Sequence, residues 1–273
     1  MNRAVFTKTA RDAWLLSLGA CAAVFALEAA IARMLVTAGE TLDRWQPVLE
    51  LPLVRNFVHL IMGADLLGDL SPTAMATFGM AHPLLWVLAW TLLIAIGTGV
   101  LAGEVDRGTA DVLLTLPISR TSVYLSTSAV MLTLTVLISA APLAGLFVFN
   151  RVFPLNAPVD FARLAPVSVN FLALNLAVGG LTLAVSSACS RRGKAVGIVL
   201  AILLISDLVN LMVQFWEAAR PLRFFGFLHY YRPLPIVRSG RLPPGDLTAL
   251  LALAVVTWVI GLWHFRWRDI PAA

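Results

Sequence analysis

Six long apolar runs dominate the chain, at about 14–36, 82–102, 122–149, 165–188, 195–215 and 246–265. Each is long enough to cross a bilayer as a helix, which takes about 20 residues. The runs are too long and continuous for the strands of a membrane barrel, which alternate over about ten residues. Because a helix satisfies its own backbone groups in lipid, the pattern predicts an all-α integral membrane protein with a bundle of six transmembrane helices.

Composition narrows the class of protein further. Hydrophobic residues make up 59% of the 273 residues and charged residues 13%, with a mean hydropathy of +0.86, whereas soluble domains carry about 25% charge. A soluble fold is therefore excluded, and residues 1–273 are expected to form a single transmembrane domain. The first run contains Glu28 and Arg33 and is too long for a cleaved signal peptide, so it is interpreted as a retained span.

The distribution of lysine and arginine predicts the orientation of the bundle. Short cytoplasmic segments close to span ends are enriched in these residues. The short, densely basic segments contain Arg3, Lys8, Arg11, Arg107, Arg120, Arg191, Arg192, Lys194, Arg266 and Arg268. The opposite set lies in the predicted outer loops, where charge counts for less, and comprises Arg44, Arg55, Arg151, Arg163, Arg220, Arg223, Arg232, Arg238 and Arg241. Both termini, including segment 1–13, are expected in the cytoplasm, in a multi-pass protein of the cytoplasmic (inner) membrane.

Two long segments, 37–81 and 216–245, are then predicted as outer loops. The first keeps apolar residues at helical spacing without reaching span length, so it is expected to lie along the outer membrane face. The second combines arginines with aromatic residues, among them Arg223, Phe224 and Tyr230. That composition suits aromatic anchoring at the headgroups, and it also suits a gate or a binding surface for an amphipathic or anionic cargo.

The segment between the second and third runs, 103–121, is predicted as a loop. Its sequence from Gly103 to Arg120 is GEVDRGTADVLLTLPISR. Charged residues such as Glu104 and Asp106 cannot lie in hydrocarbon cheaply, so the chain is expected to leave the bilayer here. Within the loop, Gly108 breaks the chain, Thr109 can cap a helix and Pro117 ends it. The sequence therefore predicts a short helix over residues 110–116.

This short helix carries an apolar stripe. Val112, Leu113 and Leu116 share one face, since positions three and four apart are neighbours on a helix. Seven residues are too few for a stable isolated helix, so it needs a surface to pack on. It is either a docking element for a groove on a soluble partner or a polar turn that lies at the membrane interface.

The same loop resembles that of type-2 ABC transporter permeases. The residues that carry the resemblance are Gly103, Glu104, Arg107, Gly108, Thr109, Asp111, Leu113, Leu114, Pro117, Ser119 and Arg120. The resemblance implies a six-helix permease subunit of the ABC-2 type that works as a homodimer or as a heterodimer with a second permease. It also implies that the loop docks on a separate cytoplasmic ABC ATPase subunit, which binds ATP and Mg²⁺. The ATPase-coupling loop then comprises Gly103, Glu104, Asp106, Arg107, Gly108, Thr109, Asp111, Val112, Leu113, Leu114, Leu116, Pro117, Ser119 and Arg120.

The chain itself has no sequence for ATP hydrolysis. The nearest approach to a phosphate-binding loop, ACSRRGKA, has Ala188 in place of its first glycine and Ala195 in place of the required serine or threonine. The four histidines have no metal-ligand spacing. No cofactor, metal or catalytic residue is therefore predicted in this chain, and the energy is expected to come from the partner.

Polar residues inside the spans are candidates for function because their burial in lipid is costly. Asp207, Asn210 and Gln214 lie near one face of the fifth span. These residues either line a pathway or hold helices together, as do three others: Glu28, Asn170 and Asn175. Small residues of the fourth span suit close helix packing, namely Gly179, Gly180, Ala184 and Ser187.

The function predicted from these observations is an ATP-driven permease, an exporter of unknown substrate, in contact with the lipid bilayer and with no nucleic acid. An intramembrane enzyme is the first alternative, but it needs convergent catalytic groups that the sequence does not display. A non-catalytic membrane scaffold is the second, and it would not require a docking helix.

Overall fold

The computed structural model describes residues 2–39, 47–48, 50–64, 71–108, 118–153 and 158–268. Its α-helices are α1 (Arg3–Gly39), α2 (Pro52–Met62), α3 (Pro72–Ala81), α4 (Pro83–Asp106), α5 (Arg120–Val152), α6 (Phe161–Ala188), α7 (Arg192–Phe215), α8 (Pro233–Ser239) and α9 (Pro244–Trp267). Two 3-10 helices, Glu217–Phe225 and Phe227–Tyr230, lie between α7 and α8. Six helices, α1, α4, α5, α6, α7 and α9, are long and apolar enough to cross a membrane. The predicted all-α, six-helix fold is confirmed.

Two helices extend well beyond the apolar runs. α1 begins at Arg3, because Val5, Thr9 and Ala13 form a buried stripe at helical spacing on a helix that packs chiefly against α5. α4 continues to Asp106 through residues that the sequence assigned to the loop. The predicted start of the loop at residue 103 is therefore corrected. Glu104 and Asp106 remain helical because their carboxylates find partners on other helices.

α6 is the central helix of the bundle. Of the most apolar 18-residue stretch of α6, 67% is buried inside the bundle, against 17% for the corresponding stretches of α7 and α9. Small residues allow α9 to approach it closely. A Cβ atom at Gly180 would lie 2.6 Å from the Ala254 carbonyl oxygen, and one at Gly261 would lie 2.9 Å from the Ala184 Cα. The backbones of α6 and α9 are therefore in direct contact, as expected for small residues in membrane helices.

One end of the bundle carries both flanks of the 103–120 loop, and we call it the loop face. The first turns of α1 and α5, the last turns of α4, α6 and α9, and the start of α7 meet there. The ion pair of Lys8 with Glu104 and the hydrogen bond from Arg268 to the Ser187 carbonyl oxygen join them. The short helices α2, α3 and α8 and the 3-10 helices lie at the other end, the opposite face.

Helix α3 corrects the expectation that segment 37–81 lies along a membrane surface. Seven of its ten residues, Thr73, Ala74, Ala76, Thr77, Gly79, Met80 and Ala81, are buried. The helix packs against α1, α6 and α8, because its small side chains permit a close approach. The Tyr231 hydroxyl donates a hydrogen bond of 2.8 Å to the Met80 carbonyl oxygen and attaches the helix to the start of α8.

Candidate coupling site at the loop face

The structure describes the two flanks of the predicted coupling loop. Gly108 follows the end of α4 with φ of +68°, a left-handed conformation that favours glycine. Ser119 caps α5, since its hydroxyl accepts a hydrogen bond of 3.2 Å from the Ser122 amide. The rest of the loop lies outside the described residues, including the predicted helix 110–116 and the site residues Thr109, Asp111, Val112, Leu113, Leu114, Leu116 and Pro117.

Glu104 is the central acid of the loop face. It is 8% exposed, and its Oε1 atom lies 2.7 Å from the Lys8 Nζ and 2.8 Å from the Arg107 Nη2. A buried carboxylate without a cation costs several kcal/mol, so these two partners allow it to remain charged at the end of a span. The Lys8 contact connects α4 to α1.

Asp106 stabilises the start of α7. Its Oδ2 atom accepts a hydrogen bond of 3.2 Å from the Arg192 backbone amide. The first amides of a helix have no partner within the helix, and the N-cap residue Arg191 forms no side-chain hydrogen bond to them. The Asp106 side chain therefore supplies both an acceptor and a favourable negative charge. The Arg192 guanidinium in turn donates to the Ala95 carbonyl oxygen at 3.0 Å, within α4.

Arg120 and Arg268 connect the other flank of the loop to the end of the bundle. The Arg120 guanidinium donates a hydrogen bond to the Arg268 carbonyl oxygen. The Arg268 guanidinium donates to the carbonyl oxygens of Ser187 and Cys189, at 2.9 Å each, and to the Ser190 hydroxyl. These carbonyls belong to the end of α6, where a positive charge is favourable.

Two further hydrogen bonds complete this arrangement. The Ser186 hydroxyl on α6 accepts from the Ala102 amide of α4 at 3.1 Å. The Ser126 hydroxyl on α5 accepts a hydrogen bond from the backbone amide of Asn2 at 2.9 Å. We call the whole set the loop-base network: Asn2, Lys8, Glu104, Asp106, Arg107, Arg120, Ser126, Ser186, Arg192 and Arg268. It joins each of the six long helices to a flank of the loop, either directly or through one neighbour.

The sequence of the whole chain agrees with this architecture, since it matches the ABC-2 family transporter proteins over residues 6–270. The chain belongs to the ABC-2 permease family. It is therefore a multi-pass membrane subunit of an ABC transporter, as the resemblance of the loop predicted. No curated protein sequence matches it.

Several partners within the permease were not predicted as site residues. Lys8, Arg192 and Arg268 were used only to orient the spans, and their contacts with the loop flanks were missed. Lys8 and Glu104 lie 96 residues apart, so no local spacing could have paired them. The available signal was the clustering of charges of both signs at span ends on one face.

Among the described residues, the polar side chains predicted inside the spans of the permease form no hydrogen bond with one another. The Asn170 side-chain amide donates to the Tyr230 carbonyl oxygen at 3.2 Å, and that of Asn175 donates to the Ser139 hydroxyl at 3.0 Å. Both asparagines are fully buried and join helices, which fits the helix-packing interpretation.

Asp207 and Asn210 on α7 are partly exposed, and the Asp207 Oδ1 has no hydrogen-bond partner among the described residues. The side chain of Gln214, the third residue of the predicted polar stripe, lies outside the described part of the structure. The two interpretations of this stripe, pathway or helix packing, therefore stay predictions. Glu28 is 2% exposed and lies under α3.

Proposed function

We propose that this permease is the membrane subunit of an ABC exporter in the cytoplasmic membrane, with the loop face in the cytoplasm. A separate ABC ATPase subunit docks on the 103–120 loop and hydrolyses ATP with Mg²⁺. A second permease, identical or related, completes the transporter. The family supports the transporter class, and the loop-base network supports the assignment of the loop as the point of energy input.

The observation that carries the proposal is the attachment of both loop flanks to the bundle. A polar turn without a mechanical role needs no contacts beyond its own two helices. Here the α4 flank is attached to α1 through Lys8 and to α7 through Arg192. The α5 flank is attached to α9 and α6 through Arg268. A force on the loop therefore reaches all the long helices through short polar contacts.

The mechanism follows from that geometry. Closure of two ATPase subunits around ATP displaces the docked loop. The displacement moves the end of α4 and the start of α5 together, and the loop-base network carries it to the remaining spans. Because packed interfaces hold discrete arrangements, a small movement at the loop face can switch the bundle between two states. The permease contributes the transport pathway and the loop that transmits the movement, and its partner contributes ATP hydrolysis.

The second permease is proposed to pack against α7. α7 and α9 each have only 17% of their most apolar stretch buried in a single chain, so burial alone does not choose between them. α7 also places Asp207 at membrane depth, where a polar side chain in contact with lipid is costly. A second copy packed on α7 would remove both features from lipid. Cross-linking between copies at Leu204, which is 61% exposed on α7, would support this arrangement.

The docking of the ATPase is tested by a double substitution, Leu113→Asp with Leu116→Asp. Charges on the apolar stripe of the predicted helix should abolish co-purification with the ATPase and transport-linked ATP hydrolysis. Thr115→Asp, about 100° around the helix from the centre of that stripe, is the matched control and should leave assembly intact. Full transport-linked hydrolysis in the double variant would show that the ATPase docks elsewhere.

A further inference from the structure

Glu28 lies inside the bundle in a space formed by glycines. A Cβ atom at Gly79 of α3 would lie 2.7 Å from the Glu28 Cδ, and one at Gly145 of α5 would lie 3.3 Å from the Glu28 Cβ. The Glu28 side chain therefore occupies the space beside both glycines, with its carboxyl group against Gly79 and its Cβ against Gly145. It is 2% exposed. Helix α3, at the opposite face of the bundle, covers the Glu28 carboxyl group.

The part of the chain that the structure describes offers no cationic partner to this carboxyl group. Among the described residues Glu28 forms no ion pair, and its Oε2 atom accepts no hydrogen bond. α3 contains no ionisable residue. Burial raises the pKa of the Tyr231 hydroxyl well above its usual range, so this phenol stays neutral. Its proton is directed to the Met80 carbonyl oxygen.

Other charged groups stand farther along the surrounding elements. His82 follows α3, Arg33 lies beyond Glu28 on α1, and Arg151 lies beyond Gly145 on α5. Arg33 is exposed, and the Arg151 guanidinium packs over the Phe147 ring at 5.1 Å. A carboxylate buried without a cation is strongly disfavoured, whereas the neutral acid can be buried.

We propose that Glu28 is a proton-binding site: its protonated form keeps α3 seated on α1, and α3 must lift before the proton leaves. The element that covers the site is suited to such a movement. α3 is ten residues long and is joined to α4 by the single extended residue His82. Besides its packing, the hydrogen bonds that hold it among the described residues include those from Tyr231 to Met80 and from the Asp160 amide to the Thr73 hydroxyl.

Proton binding by Glu28 would make the opposite face of the permease sensitive to pH. Lifting of α3 moves the start of α4, whose other end carries Glu104 and the loop. Coupling of this step to transport rests on the proposed function, whereas proton binding by Glu28 does not. The test therefore uses the purified chain in lipid nanodiscs without an ATPase partner.

The measurement is the rate at which N-ethylmaleimide modifies a cysteine on α3. Thr77 is fully buried, and cysteine is close to threonine in size, so Thr77→Cys in a Cys21→Ala, Cys189→Ala background reports lifting of α3. Thiol reactivity itself rises with pH, so each rate is divided by that of Leu53→Cys on α2, where the side chain is 81% exposed. If Glu28 binds one proton when α3 is seated and releases it when α3 lifts, the ratio of rates should rise by up to about tenfold for each unit of increase in pH.

Three variants separate Glu28 from other causes. Glu28→Gln mimics the neutral acid and should give a low ratio that does not change with pH. Gly79→Ala places a methyl group against the carboxyl group and should give a high ratio at every pH. His82→Asn removes the neighbouring titratable group and should keep the pH dependence of the parent.

A parent ratio that does not change with pH would overturn the proposal, even if Glu28→Gln fails to accumulate. A pH dependence that survives in Glu28→Gln, or that disappears in His82→Asn, would assign the proton elsewhere. A change on replacing Na⁺ by choline at constant pH would identify an inorganic cation site and would equally overturn it. An intact pH response combined with full transport-linked ATP hydrolysis in the Leu113→Asp, Leu116→Asp variant would instead count against the proposed function alone.

Discussion

Glu104 at the end of α4 accepts a hydrogen bond of 2.7 Å from the Lys8 ammonium group on α1. The carboxylate side chain is 10% exposed and the lysine side chain 52%. The pair connects the flank of the coupling loop to the first span, where the polypeptide enters the bundle. Because Arg107 also contacts Glu104, the carboxylate keeps one cation when the other is removed.

This pair can be measured by a double-mutant cycle. Lys8→Met, Glu104→Gln and the double variant should give a coupling free energy of about 1 kcal/mol in the unfolding of the purified chain, because one partner is buried and the other half-exposed. The Lys8–Asp12 pair is the internal control, since its side chains are both exposed and 3.7 Å apart. Asp12→Asn should leave stability unchanged. A coupling energy near zero would remove this contact from the loop-base network.

The α6–α9 contact gives a second prediction. Gly180→Ala places a Cβ atom 2.6 Å from the Ala254 carbonyl oxygen and from the Thr257 Oγ1. Backbone atoms must move to relieve this contact, so the substitution should destabilise the permease by about 1–3 kcal/mol. Gly197→Ala on α7 meets no atom within 4 Å and should be neutral or slightly stabilising. Thermal unfolding in detergent compares the two. Equal stabilities would contradict direct backbone contact between α6 and α9.

Stability at acidic pH is the third prediction. Burial, and then the Arg232 guanidinium, lower the pKa of His229 below its usual value of 6.5, while Asp246 opposes the shift. Burial also lowers the pKa of His82. At these two histidines the unfolded chain then binds protons at a higher pH than the folded one. Their contribution to stability should be complete above about pH 6.5 and fall as the pH drops below it.

Two substitutions assign that loss of stability to its sources. His229→Gln and His82→Gln should each reduce the difference in unfolding temperature between pH 7.5 and pH 5.5, and the double variant should reduce it further. Leu84 loses its amide cap in His82→Gln, because the His82 Nδ1 accepts that hydrogen bond at 3.2 Å. The slope with pH, and not the absolute stability, is therefore the quantity to compare. An unchanged slope in the double variant would place the titrating groups elsewhere.

Hydropathy predicted the number of spans because a membrane helix must be continuously apolar, whatever its neighbours are. The same reasoning ended the second span too early. Glu104 and Asp106 read as loop residues, yet Lys8 and Arg192 make them acceptable in a helix, and these partners lie far away in the sequence. The break between the second and third spans follows from hydropathy, whereas the attachments of its flanks depend on tertiary contacts.

α3 was missed for a different physical reason. Its sequence, PTAMATFGMA, is short and contains small residues, so it has neither the length nor the hydropathy of a span. Small residues are nevertheless suited to burial between helices, because they let backbones approach. Glu28 was recognised as a costly intramembrane acid, but Gly79 and Gly145, which enclose it, could be identified only in three dimensions.

The uneven burial of the six spans has a consequence for sequence variation. On α6, most positions contact other helices, so even small changes of volume should be rejected. α7 and α9 have far fewer buried positions, and there most apolar residues should be interchangeable in a freely diffusing single chain. Measuring the tolerance of every position to substitution would thus detect contacts between these helices and a second protein chain. Whichever of α7 and α9 resists substitution despite its exposure marks the face that another protein chain covers.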